Sequence, residues 1–570
     1  MSLSLNSSSD TVPAFADKEP HLDQRSDAGK KLDSQHLLSR KLLLAIIVFW
    51  VLLLLPRVAW GPRFYMDSSQ YVECARNIVE GNGFLHRPQR GIENAELVPM
   101  TLWPPGYPLL VAATMMLGLT APIAALVVPI VSSFVCVILI AHLYLRWLPP
   151  AVATPTLLAT VLMPVFAYAS GMALSESPCL AASLASIAAL FLWADNGRHP
   201  FVWLFFAGLA GGVAWCIRNS SVGLFAASFL FIAGHVLWAP FWHAVKSLFI
   251  WCAGWCVASA WLVMRNLVAF GKFNPYYMPP SDLSLWANLR QTWHVLVADL
   301  TGSTAIAGWF NDKSVIAVLG LLVLGTGLYA LIQMSKQSGM ALFYRYRMHF
   351  FLALYVMLTI ATTAIARSVY KWGEWINSRH FYPIYWIVWL SVALAAWQVA
   401  RRLLADRKTA AIASCAIMSV VVLIQAVAYT RSLTDYRNMT VRFHNLHTTW
   451  QDEGVVRRVS EFIDDDKLVL TDSADYLRIL GDVHARRFVR PGSDSEPEIT
   501  LDDVQQSAAD GLFWGFVIWE RELSASGRFG SMVQDLVTAD KLPGFVERIE
   551  LDGSFPLLLR VHPVEHTDDE

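Results

Sequence analysis

The chain has 570 residues and a net charge of −1, with 55% of its residues apolar and 16% charged, and a mean hydropathy of +0.43. That balance excludes an ordinary soluble globule and any bulk attraction to nucleic acid. It predicts a mainly α, polytopic transmembrane helical bundle, because stretches of roughly 18–25 apolar residues each suffice to cross a hydrocarbon core.

Residues 1–41 are polar, Ser-rich at 1–10, and close on Arg40-Lys41. They predict a disordered cytoplasmic arm, too long and too charged for the start of a cleavable signal. Apolar spans follow at 42–60, 122–145, 152–170, 176–194, 201–217, 221–238, 244–264, 315–333, 348–366, 381–399 and 409–430. The run 106–119 is shorter and opens after Pro104-Pro105. Loop charge decides its place. Cytoplasmic loops carry the Lys/Arg excess, so the end of the arm, 334–347 (Lys336, Arg345, Arg347) and 400–408 (Arg401, Arg402, Arg407, Lys408) belong on one side. Eleven spans satisfy that if 106–119 lies along the outer surface. The regions 61–121, 265–314, 367–380 and 431–570 are then outside.

Within the first outer loop, 61–121, Ser69 to Glu80 has the pattern of an amphipathic helix, with Tyr71, Cys74, Ala75, Ile78 and Val79 on one face and Gly81-Asn82-Gly83 ending it. The seven cysteines predict no disulfide framework. Most lie in apolar spans, where a thiol acts as a small hydrophobe, although Cys252 and Cys256 stand four apart, as a metal or redox pair would. In the tail 431–570, charges return. Leu468–Leu470, Phe513–Trp519 and Leu557–Val561 predict strands, and Asp472–Leu480 and Leu501–Ala509 predict helices, together a small extracytoplasmic α/β domain beyond a transmembrane domain at 42–430.

Asp67 is the first candidate for chemistry. A carboxylate where the chain first leaves the bilayer can take a proton from a hydroxyl, can hold a metal, or can simply cap the helix that follows. Arg218, Arg265, Lys371, Arg379 and His380 lie at outer ends of spans, where positive-inside statistics make cations less expected. Such a group suits a phosphate or pyrophosphate, with snorkelling to the interface as the plain alternative. Glu176 opens the fourth span, where it either complements the helix dipole or orients an acceptor or cation. Trp103-Pro104-Pro105-Gly106-Tyr107-Pro108 is a rigid corner that serves either as a groove wall or as part of an interfacial aromatic belt. No Gly-rich phosphate loop, His-rich metal site or Ser/His/Asp order stands out, and Asp464-Asp465-Asp466 has the character of a solvated loop.

Taken together, these residues resemble the C-type (GT-C) membrane glycosyltransferases, in particular lipopolysaccharide-core galacturonosyltransferases and their relatives among the protein O-mannosyltransferases and lipid A aminoarabinose transferases. The resemblance rests on Asp67-Ser68-Ser69-Gln70-Tyr71 with Ala75-Arg76-Asn77-Ile78, Gly81-Asn82-Gly83-Phe84, the Trp103–Pro108 corner, Ser175-Glu176-Ser177, Gly208–Gly212 leading to Arg218, the stretch 261–271 around Arg265, and Arg379-His380-Phe381-Tyr382-Pro383. It covers roughly 40–430. It implies inverting transfer of a sugar from a polyprenyl-phosphate donor to a lipid, glycan or protein hydroxyl on the outer face of the cytoplasmic membrane. By the same resemblance Asp67 is the base and Arg218, Arg265 and Arg379, with Lys371 behind them, hold the donor phosphate; Trp103, Tyr107, Glu176 and His380 are the candidates for the substrate groove. Relatives typically carry Asp-Glu where this chain has Asp67-Ser68, so no metal ligand set is implied, and a divalent cation is left open as a cofactor. Rival readings are a lipid or sugar transporter or flippase, a polysaccharide polymerase, and a non-catalytic anchor for the outer tail.

Overall fold

The computed structural model describes residues 45–56, 66–87, 97–195, 199–237, 240–275, 280–303, 339–370, 376–404, 406–442, 456–463, 467–471, 474–481, 483–487, 500–519, 531–539, 541–549 and 557–563. The arm 1–41, the span expected at 315–333, Lys371 and the acidic run at 464–466 lie outside them. The chain divides into Met1–Val48 and Phe49–Glu570. Apart from the first turn of the helix at 45–56, everything below concerns the second.

Helices dominate. After α1 (Ala45–Pro56) come α2 (Met66–Val79), α3 (Gly106–Met115), α4 (Ala121–Trp147), α5 (Pro150–Val161), α6 (Pro164–Ser170), α7 (Glu176–Ala194), α8 (Pro200–Ile217), α9 (Val222–Ala233), α10 (Phe241–Phe270), α11 (Leu285–Thr301), α12 (Gly339–Val369), α13 (Tyr385–Leu403) and α14 (Arg407–Arg442). Among the described residues six are long and apolar enough to cross a membrane, and seven if α5 and α6 form one bent span. The expected span at 152–170 is that bent pair, turned by 64°. Pro164 is the cause, since its ring has no N–H for the helical ladder and blocks the preceding turn. The span expected at 221–238 is the shorter α9, flanked by 3-10 turns at Asn219–Ser221 and Gly234–Leu237. α3 has 10 residues; at 1.5 Å per residue it reaches about 15 Å, half a hydrocarbon core. α14 runs on through 430 to Arg442, so the expected boundary between transmembrane domain and tail falls inside a continuous helix.

Small residues set the closest crossings. A Cβ at Gly208 would run into the carbonyl oxygen of Trp251, and one at Gly254 into that of Phe205, so α8 and α10 meet backbone to backbone. Indole and phenol groups tie other helices together. Trp50 Nε1 donates to Ser133 Oγ at 3.1 Å, Tyr144 OH donates to the Trp386 carbonyl at 2.7 Å, and Tyr429 OH donates to the Leu53 carbonyl at 2.5 Å.

α2 carries Asp67 in its first turn and Arg76 in its last, the sense that suits the helix dipole. Gly81 and Gly83, at φ +85° and +86°, take the left-handed turns that end it. A two-stranded antiparallel ladder, β1 (Leu85–His86) with β2 (Val98–Pro99), follows.

The C-terminal region forms a five-stranded sheet. Its strands are β3 (Leu468–Thr471), β4 (Ala485–Arg487), β5 (Phe513–Ile518), β6 (Val546–Ile549) and β7 (Leu557–Val561), in the order β4-β3-β5-β7-β6. β3 pairs in parallel with β4 and β5, while β7 is antiparallel to β5 and β6. β3 and β5 are buried along their whole length, as their unbroken apolar runs require. The crossover helices are α15 (Ala474–Leu480), α16 (Leu501–Ala509) and α17 (Ser531–Thr538). A capping box between Thr500 and Asp503 starts α16.

Candidate functional site

α7 sets the scale of the site. It begins at Glu176 and, over 19 residues, ends beside Asp195. Those two acids are therefore about 28 Å apart, close to the thickness of a hydrocarbon core. At the Asp195 end, Arg146 pairs with Asp195, and Arg347 donates to the Ala194 carbonyl. At the Glu176 end lies a different set of charges.

Glu176 is buried and forms ion pairs with two guanidinium groups: its Oε1 is 2.8 Å from Arg218 Nη1 and 2.9 Å from Arg379 Nε. The Nη2 of Arg379 in turn pairs with Asp67 Oδ2. The result is an alternating chain, Arg218–Glu176–Arg379–Asp67, from four separate elements.

Each position has a local cause. Asp67 opens α2, whose next residue, Ser68, donates to the Ala173 carbonyl at 2.9 Å and pins that turn to the segment before α7. Arg218 ends α8 in an extended conformation, φ −149°, that breaks the helix and turns its side chain inward; it also donates to Ser175 Oγ at 3.0 Å. Tyr71 OH lies 3.3 Å from the same Ser175 hydroxyl. Arg379 sits in a 3-10 turn, Ser378–His380, capped reciprocally by the Asn377 side chain and the His380 ring. His380 Nδ1 lies 3.2 Å from both the N–H and the carbonyl oxygen of Asn377, which holds the ring against this turn. Burial, with Arg379 and Arg218 beside it, pushes His380 down to about 3, so the ring is neutral at physiological pH. Burial, reinforced by Asp67, pushes the Tyr71 phenol far above its ordinary value, so it stays a neutral hydroxyl.

The corner Trp103–Pro108 backs this set. Tyr107 meets Tyr71 edge to face at 4.9 Å and 74°, worth roughly 0.5–1.5 kcal/mol beyond burial. Tyr107 OH donates to the Ala125 carbonyl at 2.6 Å, and Trp103 lies 6.2 Å from Tyr71. Arg265 does not join the chain. It donates to the Met100 carbonyl at 2.7 Å and to Asn266 Oδ1 at 3.0 Å, and its guanidinium lies 5.3 Å from the ring centres of Phe84 and Phe270. Asp67, Glu176, Arg218 and Arg379 thus come together with His380, Tyr107 and Trp103 around them, and Arg265 stands apart.

Three groups take roles that the sequence reading does not assign them. Ser175 joins Tyr71 to Arg218. Tyr382 reaches Ser177 at 3.2 Å and seats the strap 379–385 on the start of α7. Asp299, near the end of α11, accepts from Ser378 Oγ at 2.8 Å and from Tyr385 OH, and so holds the turn bearing Arg379. Burial pushes its carboxyl up to about 6. Its one legible signal is an acid in the last turn of an amphipathic helix, against the dipole.

The chemistry available follows from the charges. Two carboxylates and two guanidiniums sum to zero. The Arg379 fork spans Asp67 and Glu176, where a bridging cation would have to sit, so this arrangement does not fit a divalent metal. Among the described residues no set of three or more His, Cys, Asp and Glu is placed to hold one.

No protein-family model and no curated protein matches the sequence. Solved structures resemble its fold. ArnT from Cupriavidus metallidurans bound to undecaprenyl phosphate superposes with a TM-score of 0.51 over 92% of this chain and 98% of that one, at 13% identity. The apo state of ArnT gives 0.49 at 13% identity, over 91% and 98%. The oligosaccharyltransferase of Archaeoglobus fulgidus gives 0.48 at 11%, over 85% and 70%. The chain thus shares the fold of ArnT and carries helices long and apolar enough to cross a membrane.

Proposed function

We propose that the chain is a membrane glycosyltransferase that moves a sugar from a polyprenyl-phosphate donor to an acceptor hydroxyl, with inversion. The observation that carries this is the chain Arg218–Glu176–Arg379–Asp67 at one end of the bundle. Asp67 is the base. In the resting geometry it is paired with Arg379. A lipid phosphate competes for the guanidiniums of Arg379 and Arg218, which bind phosphate oxygens bidentately. That competition frees Asp67 to take the proton of the acceptor hydroxyl as it attacks the anomeric carbon. The bond from that carbon to the phosphate oxygen breaks, and the two arginines meet the charge that develops on the departing phosphate. Glu176 holds both arginines in place, and His380, Tyr107 and Trp103 wall the groove. Arg265 and Lys371 are proposed as further contacts to the donor phosphate. The neighbour's undecaprenyl phosphate supports a lipid-phosphate donor.

The basic end, with Arg146 and Arg347, supports an orientation in which the site faces away from the cytoplasm, in the inner membrane. Residues 42–430 then form the transmembrane domain and 431–570 an extracytoplasmic one. The 64° break between α5 and α6 favours a second reading, translocation of a lipid-linked sugar. Yet 150–170 holds no Asp, Glu, Lys, Arg or His to mark a mid-membrane site.

The test is Asp67→Asn in cells, read by mass spectrometry of envelope glycolipids and glycoproteins. The expected outcome is a loss of product of about 10²–10⁴-fold at unchanged expression. Parental product from a stably expressed Asp67→Asn chain rejects the base. Movement of a lipid-linked sugar across vesicles without bond formation selects the second reading.

A further inference from the structure

The helix that carries Asp67 is held on two sides. Ser68 and Tyr71 attach it to the start of α7. The other attachment comes from the C-terminal region, some four hundred residues away in sequence. Arg76 Nη1 donates to the Arg478 carbonyl at 2.8 Å, and Arg76 Nη2 to the Ile479 carbonyl at 2.6 Å. These are terminal carbonyls of α15, which have no partner within their own helix, so Arg76 caps α15. Arg478 returns the interaction. It pairs with Glu73 and donates to the Arg87 carbonyl at 2.8 Å, while Arg87 N–H donates to Glu73 Oε1 at 3.0 Å. Glu73 and Arg478 are both buried. Ile479 enters the same apolar cluster as Tyr71, Val72, Cys74 and Ala75 of α2.

A buried ion pair adds little net stability, but it fixes the geometry of the elements that carry it, because either charge left alone is costly. Such a pair is a device for orientation. We propose that Arg478 is a positioning residue for Asp67: the C-terminal α/β region grips α2 through Glu73 and Arg76 and sets the pose in which the carboxylate meets Arg379. The proposal rests on the reading of Asp67 as the base. It makes the C-terminal region a part of the transfer site.

The experiment compares the full-length chain with Arg478→Ala and Glu73→Gln at matched expression. Three quantities are read: amide hydrogen exchange over 66–79 and 176–194, affinity for undecaprenyl phosphate in detergent, and envelope glycan product by mass spectrometry. For Arg478→Ala we expect exchange over 66–79 to quicken by about tenfold or more with 176–194 unchanged. Affinity should stay within about twofold, since the arginines that bind phosphate are untouched. Product should fall by about tenfold or more, as a displaced catalytic group demands. Parental product with Arg478→Ala overturns the proposal. So does lost product with unchanged exchange over 66–79, and so does a parallel fall in affinity and product. If Arg478→Ala loosens the whole bundle, Glu73→Gln, which keeps the volume and removes the charge, is judged by the same three criteria. A parental chain that yields no glycan product defeats the proposed function instead, and the exchange over 66–79 still decides whether Arg478 holds the helix.

Discussion

Glu176 is the residue on which the ion chain turns. It is buried, at 2% exposure, and both neighbouring guanidiniums depend on it for charge balance. Replacing it by Gln keeps the volume and leaves two buried cations sharing one carboxylate. The expected cost is about 3–5 kcal/mol, read as a lower melting temperature of the purified protein in detergent. A Glu176→Gln protein that melts with the parent would show that the pairs contribute nothing to the fold. At this scale the sequence is informative about kind and weak about partnership. An acid at the start of an apolar span is visible as a helix-dipole residue. That its carboxylate bridges Arg218 and Arg379 depends on the strap 376–385, whose path is fixed by Asp299, Tyr385 and Tyr382. None of those carries a local signal for long-range pairing. Arg265 shows the converse: an outer-end arginine like Arg218 in sequence, it is drawn off by the rings of Phe84 and Phe270 and the Met100 carbonyl.

Elements are more legible than their breaks. Long apolar runs announce α4, α7, α8 and α10 because each must satisfy its backbone internally. The buried strands β3 and β5 announce themselves by unbroken apolar runs between turns. β4, Ala485-Arg486-Arg487, and β6, Val546-Glu547-Arg548-Ile549, do not, since charged residues on sheet edges erase the pattern. The Pro104–Pro108 corner matters through Gly106. A Cβ there would strike the Cys216 carbonyl, two residues before Arg218. Gly106→Ala should therefore push α3 from the end of α8 and shift Arg218, at a cost of about 1–3 kcal/mol in stability. Weakened affinity for undecaprenyl phosphate alongside a lower melting temperature is the expected pair of results. An unchanged affinity would separate the corner from the site.

For the whole molecule, the polytopic bundle with a small C-terminal α/β region follows from composition and run length, while the docking of that region on α2 does not. Arg478 and Glu73 are ordinary charged residues until the fold brings them together. The alternation of Arg218, Glu176, Arg379 and Asp67 has a consequence for the energetics of turnover. At rest the set is electrically balanced, so an incoming phosphate leaves a surplus of negative charge in a place poor in water. Protons are the cheapest remedy. Ligand capture and hydron uptake become thermodynamically linked, and affinity for undecaprenyl phosphate rises as the medium is acidified. Titration calorimetry in buffers of differing ionisation enthalpy would record that uptake as a buffer-dependent heat; identical heats in every buffer would mean that the anion is accommodated with no proton exchanged.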